Sequence, residues 1–216
     1  MKIFLDTAET AVVRKHWKTG LIDGLTTNPS LIRKSGRKHE EVYQEFKDIG
    51  LTDISMEVIG NTENMISEGK RLHKKFGKCS TIKVPCTYEG LQACAHLSVE
   101  GIKVNVTLIF SQAQAILAAK AGAKYVSPFV GRVDDNSFGG LCLVKDIAKV
   151  YREHMVTKTE VLAASLRGVR DVGRAFEYGA DIVTMPPAVF EGMYNHILTD
   201  KGLDQFDKDY EASIQQ

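Results

Sequence analysis

Lys83 stands between Ile82 and Val84 in the run Thr81-Ile82-Lys83-Val84-Pro85. A lysine buried among β-branched residues is costly unless it has a partner or a task. Lys2 and Lys103 precede their apolar runs and read as solvated strand starts, whereas Lys83 lies near the end of its run. An amine held away from water gives up its proton more readily. It can then attack a ketone and form an imine, which acts as an electron sink. Imine chemistry also needs proton carriers, and Asp6 and Glu57 are of the right type, with Thr107 able to hold a water. Arg132 closes Ser127-Pro128-Phe129-Val130-Gly131-Arg132, and Arg167 follows Ala163-Ala164-Ser165-Leu166. Guanidinium groups suit phosphate, because they form bidentate, charge-assisted hydrogen bonds. The blander alternatives are a solvated strand lysine and two arginines in ordinary surface ion pairs.

These residues can work together only if the backbone brings them together. The strand candidates are Lys2–Asp6, Gly24–Asn28, Ile54–Ile59, Thr81–Pro85, Lys103–Ile109, Tyr125–Val130, Glu160–Ser165 and Asp181–Pro186, each rich in β-formers and flanked by turn residues. Between them run segments of helical period: Glu63–Phe76, Glu89–Val99, Ser111–Ala121 with Ser111 placed to cap it, Gly139–His154 and Gly168–Tyr178. Pro29 sits just inside a short helix after the second strand. Eight strand-then-helix units without a break in composition predict one parallel sheet covered by helices. The number of units favours a closed (β/α)8 barrel over an open doubly wound sheet. The chain reads as a single domain over 1–216, with about 200–216 as a helical tail beyond the barrel.

Alternate strand residues point to opposite faces. Ile3 and Leu5 are set against Phe4 and Asp6, and Met56 and Val58 against Ser55 and Glu57. Ile82 and Val84 oppose Thr81, Lys83 and Pro85, while Val104, Val106 and Leu108 oppose Asn105 and Thr107. On the seventh strand Leu162 and Ala164 are assigned to the helix side, and Ala163 and Ser165 to the other. In a barrel the second faces converge on one interior, and the catalytic end is where the strands finish. Asp6, Asn28, Glu57, Lys83, Thr107 and Ser165 are then expected in one pocket.

Composition narrows the function classes. Lys and Arg number 28 against 27 Asp and Glu, a net charge of +1, so there is no global pull toward nucleic acid or anionic membrane. No apolar run approaches the ~18 residues of a membrane span, and Asp6 interrupts the N-terminal stretch too early for a signal core. Cys79, Cys86, Cys94 and Cys142 form no CxxC pair and read as reduced packing residues of a cytoplasmic protein. Asn105-Val106-Thr107 matches a glycosylation sequon, but it lies in an apolar strand. No GxxxxGKS or GxxxxGKT loop, GxGxxG turn or HExxH pair is present. The histidines at 16, 39, 73, 96, 154 and 196 fall on helices or the surface, which disfavours a metal site.

Six ordered motifs carry a resemblance. They are Phe4-Leu5-Asp6-Thr7, Thr26-Thr27-Asn28-Pro29-Ser30, Ile82-Lys83-Val84-Pro85, Asn105-Val106-Thr107-Leu108-Ile109-Phe110-Ser111, Ser127-Pro128-Phe129-Val130-Gly131-Arg132 and Ala163-Ala164-Ser165. Together they resemble the small-chain members of the transaldolase and fructose-6-phosphate aldolase family, along nearly the whole chain. The resemblance implies a barrel of the class I aldolase type, no cofactor, and transfer of a dihydroxyacetone unit between sugar phosphates in the pentose phosphate pathway. Lys83 matches the Schiff-base lysine, and Asp6 the carboxylate acting on the substrate hydroxyl. Asn28 and Asn105 match the residues that hold the dihydroxyacetone moiety, and Glu57 and Thr107 the pair that positions the catalytic water. Ser127 lines the site. Arg132 matches the phosphate-binding arginine, and Ser165 with Arg167 its companions, although members differ at the latter position. Transaldolases of the family carry Glu and Phe where its aldolases carry Gln and Tyr. Glu57 and Phe129 therefore imply a transferase, with a lyase releasing dihydroxyacetone as the alternative and a barrel that only binds sugar phosphates as the third.

Leu203, Phe206, Tyr210 and Ile214 recur at spacings of three, four and four, an apolar stripe on a charged helix. The stripe suits either a neighbouring subunit or the chain's own barrel. Small members of the resembled family form pentamers that pair into decamers, which implies a homo-oligomer.

Overall fold

The computed structural model describes residues 1–214. Eight parallel strands pair in chain order and the last pairs with the first, closing the sheet into a barrel. They are β1 (Lys2–Asp6), β2 (Gly24–Thr26), β3 (Ile54–Glu57), β4 (Ser80–Pro85), β5 (Val104–Ile109), β6 (Tyr125–Pro128), β7 (Glu160–Ala163) and β8 (Ile182–Met185). The helices among and after them are α1 (Thr10–Trp17), α2 (Pro29–Ser35), α3 (His39–Ile49), α4 (Thr62–Phe76), α5 (Tyr88–Val99), α6 (Gln112–Lys120), α7 (Val130–Asp135), α8 (Gly140–Glu153), α9 (Val169–Glu177), α10 (Pro187–Gly192) and α11 (Ile197–Ile214). This is the (β/α)8 barrel that the alternation favours. Closure itself rests on the pairing of β1 with β8, Lys2 with Ile182 through Leu5 with Met185.

The strands stop where local chemistry turns the chain. Thr26 ends β2 because Asn28 becomes a helix cap: its Oδ1 accepts from the Leu31 N–H at 3.0 Å, with Pro29 at the first helical position of α2. Ser111 caps α6 in the same way, accepting from the Gln114 N–H at 3.2 Å. Pro128 ends β6 because Val130 opens α7. Ala163 ends β7, and Ser165 beyond it takes a left-handed backbone with φ 59°.

The outer core lies between strands and helices. Leu5, Leu25, Ile54, Met56, Ile82, Val84, Val104, Val106, Val126, Val161 and Val183 meet the buried faces of helices through residues such as Val13, Phe46, Leu72, Leu97, Ile147 and Phe190. Each such side chain contributes about 1.5–3 kcal/mol when fully buried. Inside the barrel a second cluster joins Phe4, Tyr125, Leu162, Ala164 and Ile182. Phe4 and Tyr125 meet edge to face at 6.2 Å. Gly24 leaves room for this layer, since a Cβ there would lie 2.6 Å from the Phe4 ring.

The seventh strand corrects the face assignment. Leu162 and Ala164 point into the barrel and Ala163 joins the outer core, the reverse of the expected parity. The interior end away from the site needs bulk, and Leu162 supplies it beside Phe4. Among the described residues no helix is long and apolar enough to cross a membrane. The helix α11 buries none of its described residues, and Leu203, Phe206, Tyr210 and Ile214 all stay exposed, so the stripe does not pack on its own barrel. Residues 215 and 216 of the expected tail lie outside the described residues.

Candidate active site

The register assembles the site. Glu57 on β3 is opposite Lys83 on β4, Lys83 is opposite Asn105 on β5, and Asp6 on β1 is opposite Thr26 on β2. Neighbouring strands lie about 4.8 Å apart, so each pair meets directly. Lys83 is only 5 % exposed. Its Nζ donates to the Thr27 carbonyl at 2.8 Å and lies 3.0 Å from Glu57 Oε2. That contact has the distance of an ion pair but not the alignment of a hydrogen bond, so Oε2 is left without a donor among the described residues. Thr107 Oγ1 is likewise buried with no partner. The two strands that flank β4 thus present unsatisfied polar atoms at the same end of the barrel, against the general rule that buried polar groups are paired.

Asp6 accepts a hydrogen bond from Thr26 Oγ1 at 2.7 Å. Burial pushes its carboxyl above the ordinary aspartate value, while the positive charge of Lys83 and the Thr26 bond pull it down and Glu57 pushes it up. A carboxylate shifted toward neutrality is better matched to proton transfer at physiological pH.

Lys83, Asp6, Thr26, Asn28, Thr107, Ser127, Phe129, Arg132, Ala164, Ser165 and Thr184 line a cleft of about 110 Å³. The Asn28 oxygen is committed to capping α2, which leaves its NH2 group as the donor for a ligand. Asn105 is fully buried behind this wall: its Nδ2 donates to Ser55 Oγ at 3.2 Å, and its Oδ1 accepts from Ser127 Oγ at 2.7 Å. It therefore orients Ser127, which does line the cleft. Glu57 also stands behind the lining, in contact with Lys83.

Arg132 sits at the mouth on α7, its guanidinium 5.0 Å from the centre of the Phe129 ring. Phe110 meets Phe129 at 6.0 Å on another side. Among the described residues Arg132 makes no ion pair, so its charge is free for a ligand. The start of α7 is docked on the end of β7: the Val130 and Gly131 N–H groups donate to the Ala164 and Ser165 carbonyls at 3.0 and 3.1 Å. A Cβ at Gly131 would lie 2.4 Å from that Ser165 oxygen, so only glycine permits the approach. Arg167 is not part of the lining. It is exposed and forms a two-pronged ion pair with Asp135, whose carboxyl it holds below the ordinary value.

A wider surface hollow lies around Arg37, His39, Glu45 and Lys75. There Arg37 pairs with Glu45 and Lys75 with Glu40 at partly exposed positions.

The sequence reading places Asp6, Asn28, Thr107, Ser127, Phe129, Arg132 and Ser165 around Lys83, as the cleft does. It does not single out Thr26 or Thr184. Thr26 shares the parity of Asn28, but its tie to Asp6 depends on register. Thr184 alternates with an interior Ile182, so the apolar/polar contrast that marks the other strands is missing on β8. The Thr27 carbonyl has no side-chain signature at all.

A family model described as transaldolase/fructose-6-phosphate aldolase matches residues 3–216. Among relatives, a probable transaldolase of Paracoccus denitrificans is 51% identical over 211 residues, covering 97% of this chain and 96% of the relative. One of Caulobacter vibrioides is 51% identical over 216 residues, covering 100% and 99%. One of Nitrosopumilus maritimus is 48% identical over 212 residues, covering 98% and 95%. Among solved structures, a flavocytochrome b2 variant superposes with a TM-score of 0.64 at 14% identity, over 86% of this chain and 56% of that one. That likeness concerns the barrel alone.

Proposed function

We propose, from the premise that this chain belongs to the transaldolase/fructose-6-phosphate aldolase family and has aldolase-type function, that it is a transaldolase working through a Schiff base on Lys83. The observation that carries the reading is the buried Lys83 amine 3.0 Å from Glu57, at the end of the barrel where Asp6 also lies.

Attack on the C2 carbonyl of a ketose phosphate requires the unprotonated amine, and the Glu57 carboxylate is placed to take the proton. The carbinolamine then loses water. Glu57 Oε2 and Thr107 Oγ1 both lack hydrogen-bond donors or partners, so a water shared between them would satisfy both and carry these protons. In the resulting iminium, Asp6 accepts the proton of the C4 hydroxyl. The C3–C4 bond breaks, its electron pair moves toward the iminium nitrogen, and an aldose phosphate leaves. The enamine on Lys83 adds to a second aldehyde, Asp6 returns a proton to the new hydroxyl, and hydrolysis frees the amine. Asn28 donates to the hydroxyls of the three-carbon unit, Ser127, whose own proton goes to Asn105, accepts from them, and Arg132 binds phosphate. Ser165 borders the phosphate end. Arg167 secures α7 through Asp135, and so supports Arg132 from outside the cleft.

Transfer and release compete at the enamine. A tenfold preference needs only about 1.4 kcal/mol between the two barriers. Phe129 on the cleft wall offers no hydroxyl to hold water there, and this favours the aldehyde acceptor. Fructose 6-phosphate alone should give slow free dihydroxyacetone. Addition of erythrose 4-phosphate should switch on rapid sedoheptulose 7-phosphate formation. Fast release without any acceptor would move the assignment to the lyase, and no turnover with either would leave a sugar-phosphate-binding barrel. Such a reaction belongs with cytoplasmic pentose phosphate interconversion.

The exposed stripe on α11 further supports a homo-oligomer, pentamer or decamer, in which this helix lies on a neighbouring subunit. Sedimentation at micromolar concentration should show an assembly that deletion of residues 200–216 weakens. A monomer, or assembly indifferent to the deletion, contradicts this.

A further inference from the structure

Thr26 Oγ1 lies 2.7 Å from Asp6 Oδ1 and 2.7 Å from Thr184 Oγ1. Both threonines are buried, both line the cleft, and neither hydroxyl of this pair has another hydrogen-bond partner among the described residues. A hydroxyl has one proton, and an ionised carboxylate can only accept. With Asp6 ionised, the Thr26 proton is therefore committed to Oδ1, and the contact with Thr184 is a hydrogen bond only if Thr184 donates. When Oδ1 carries a proton, the order reverses: Asp6 donates to Thr26, and Thr26 to Thr184. The three groups come from β1, β2 and β8, where register sets Asp6 opposite Thr26 and Phe4 opposite Thr184. Thr184 thus reaches the carboxylate without touching it.

We infer that Thr184 is a positioning residue for the Asp6 carboxyl, acting through Thr26 as a pair of hydroxyls whose polarity follows the protonation of Asp6. This rests on the reading of Asp6 as the acid/base group for the substrate hydroxyl. The relay ties Oδ1 to β2 and leaves the second oxygen for substrate. The charged groups facing Asp6 are Lys83 from β4, Glu57 from β3 and Arg132 at the mouth from α7. Burial already drives the carboxyl upward, against the pull of Lys83 and of the Thr26 bond. Removing a donor from this chain destabilises the anion further. Cleavage needs the ionised form, so activity must then fall away at a higher pH.

The measurement is the pH dependence of the single-turnover release of aldehyde product from fructose 6-phosphate, which involves only the first half-reaction. Thr26→Val should raise the midpoint of the acid limb by about one pH unit, the worth of a hydrogen bond to a charged group. Thr184→Val should raise it by about half a unit, a ~3-fold change in proton affinity, and Thr184→Ser should restore the wild-type midpoint. Should Thr184→Val fold poorly, Thr184→Ala removes the same donor. A merely structural role would lower the rate at every pH without moving the limb. An unmoved limb in the Thr184 variants, with borohydride trapping on Lys83 intact, overturns the inference. Failure of the wild-type enzyme to be trapped on Lys83, or an acid limb that persists in Asp6→Asn, would sink the reading of the site and this inference with it.

Discussion

At one end of the barrel Asp53 accepts from Thr81 Oγ1, Tyr125 Oη and Lys103 Nζ, each at 2.8 Å. At the other end Glu57 lies 3.0 Å from Lys83 Nζ, and among the described residues Oε2 lacks a hydrogen-bond donor and Thr107 Oγ1 lacks any partner. Both are carboxylate–lysine pairs: Glu57 and Lys83 stand on the adjacent strands β3 and β4, whereas Asp53 and Lys103 lie just before β3 and β5, on either side of β4. The first is complete: its carboxylate receives three donors, and its lysine still reaches water at the rim. The second is incomplete, and its lysine is almost wholly enclosed. A fully satisfied buried network specifies a structure. A partly satisfied one leaves polar groups available for a ligand, at a cost in stability that the rest of the fold offsets. Active ends of such barrels lie where the strands finish, and the incomplete pair is at that end.

Exchanging the consequences of the two pairs would break this contrast. Lys83→Ala should abolish turnover, by at least ~10³-fold, and remove the reduced three-carbon adduct that borohydride leaves on the Lys83 peptide in the wild type. Adduct on another lysine would refute the chemistry. Asp53→Ala should do the opposite, losing about 1–3 kcal/mol in urea unfolding for each buried hydroxyl, Thr81 and Tyr125, left without its acceptor, while kcat per folded molecule is unchanged. Asp53→Asn, which keeps an acceptor oxygen, should cost less. A catalytic defect in Asp53→Asn without a stability loss would mean the two ends are coupled.

Smaller effects sharpen the comparison within the active end. Arg132→Ala should weaken phosphorylated donors by about 10- to 150-fold, the 1.5–3 kcal/mol of a lost charged hydrogen bond, and leave unphosphorylated dihydroxyacetone nearly unaffected. Equal losses for both would exclude phosphate binding by this arginine. Thr107→Val should lower kcat about tenfold, roughly one hydrogen bond, with unfolding free energy unchanged, since the hydroxyl it removes satisfies nothing in the protein. A clear loss of stability would show that this hydroxyl is bonded after all. Phe129→Tyr should have the smallest effect, shifting the ratio of released to transferred dihydroxyacetone toward release without changing imine formation.

Some of this was settled along the chain. Alternating apolar and polar positions on β1, β3, β4 and β5, together with the motif that carries each, place Asp6, Lys83 and Thr107 on one surface, because side-chain direction in a strand follows from parity alone. Capping chemistry likewise put Pro29 and Ser111 at helix starts. Parity failed on β7, where Ala163 is small enough for the helix side and Leu162 is needed to fill the interior; neither face announces itself in the residue types. Ser165 nonetheless reaches the cleft, because its left-handed backbone resets the alternation. Arg167 follows a strand end as a phosphate ligand would, yet its charge goes to Asp135, a choice made by a helix that packs across from it. The ring closure, the pairing of Glu57 with Lys83, the Thr27 carbonyl on the amine and the Thr26–Thr184 contact all depend on register between strands far apart in the chain. Parity is a property of one strand, whereas register is set by how all eight share a closed circumference, and for that reason only the tertiary structure decided it.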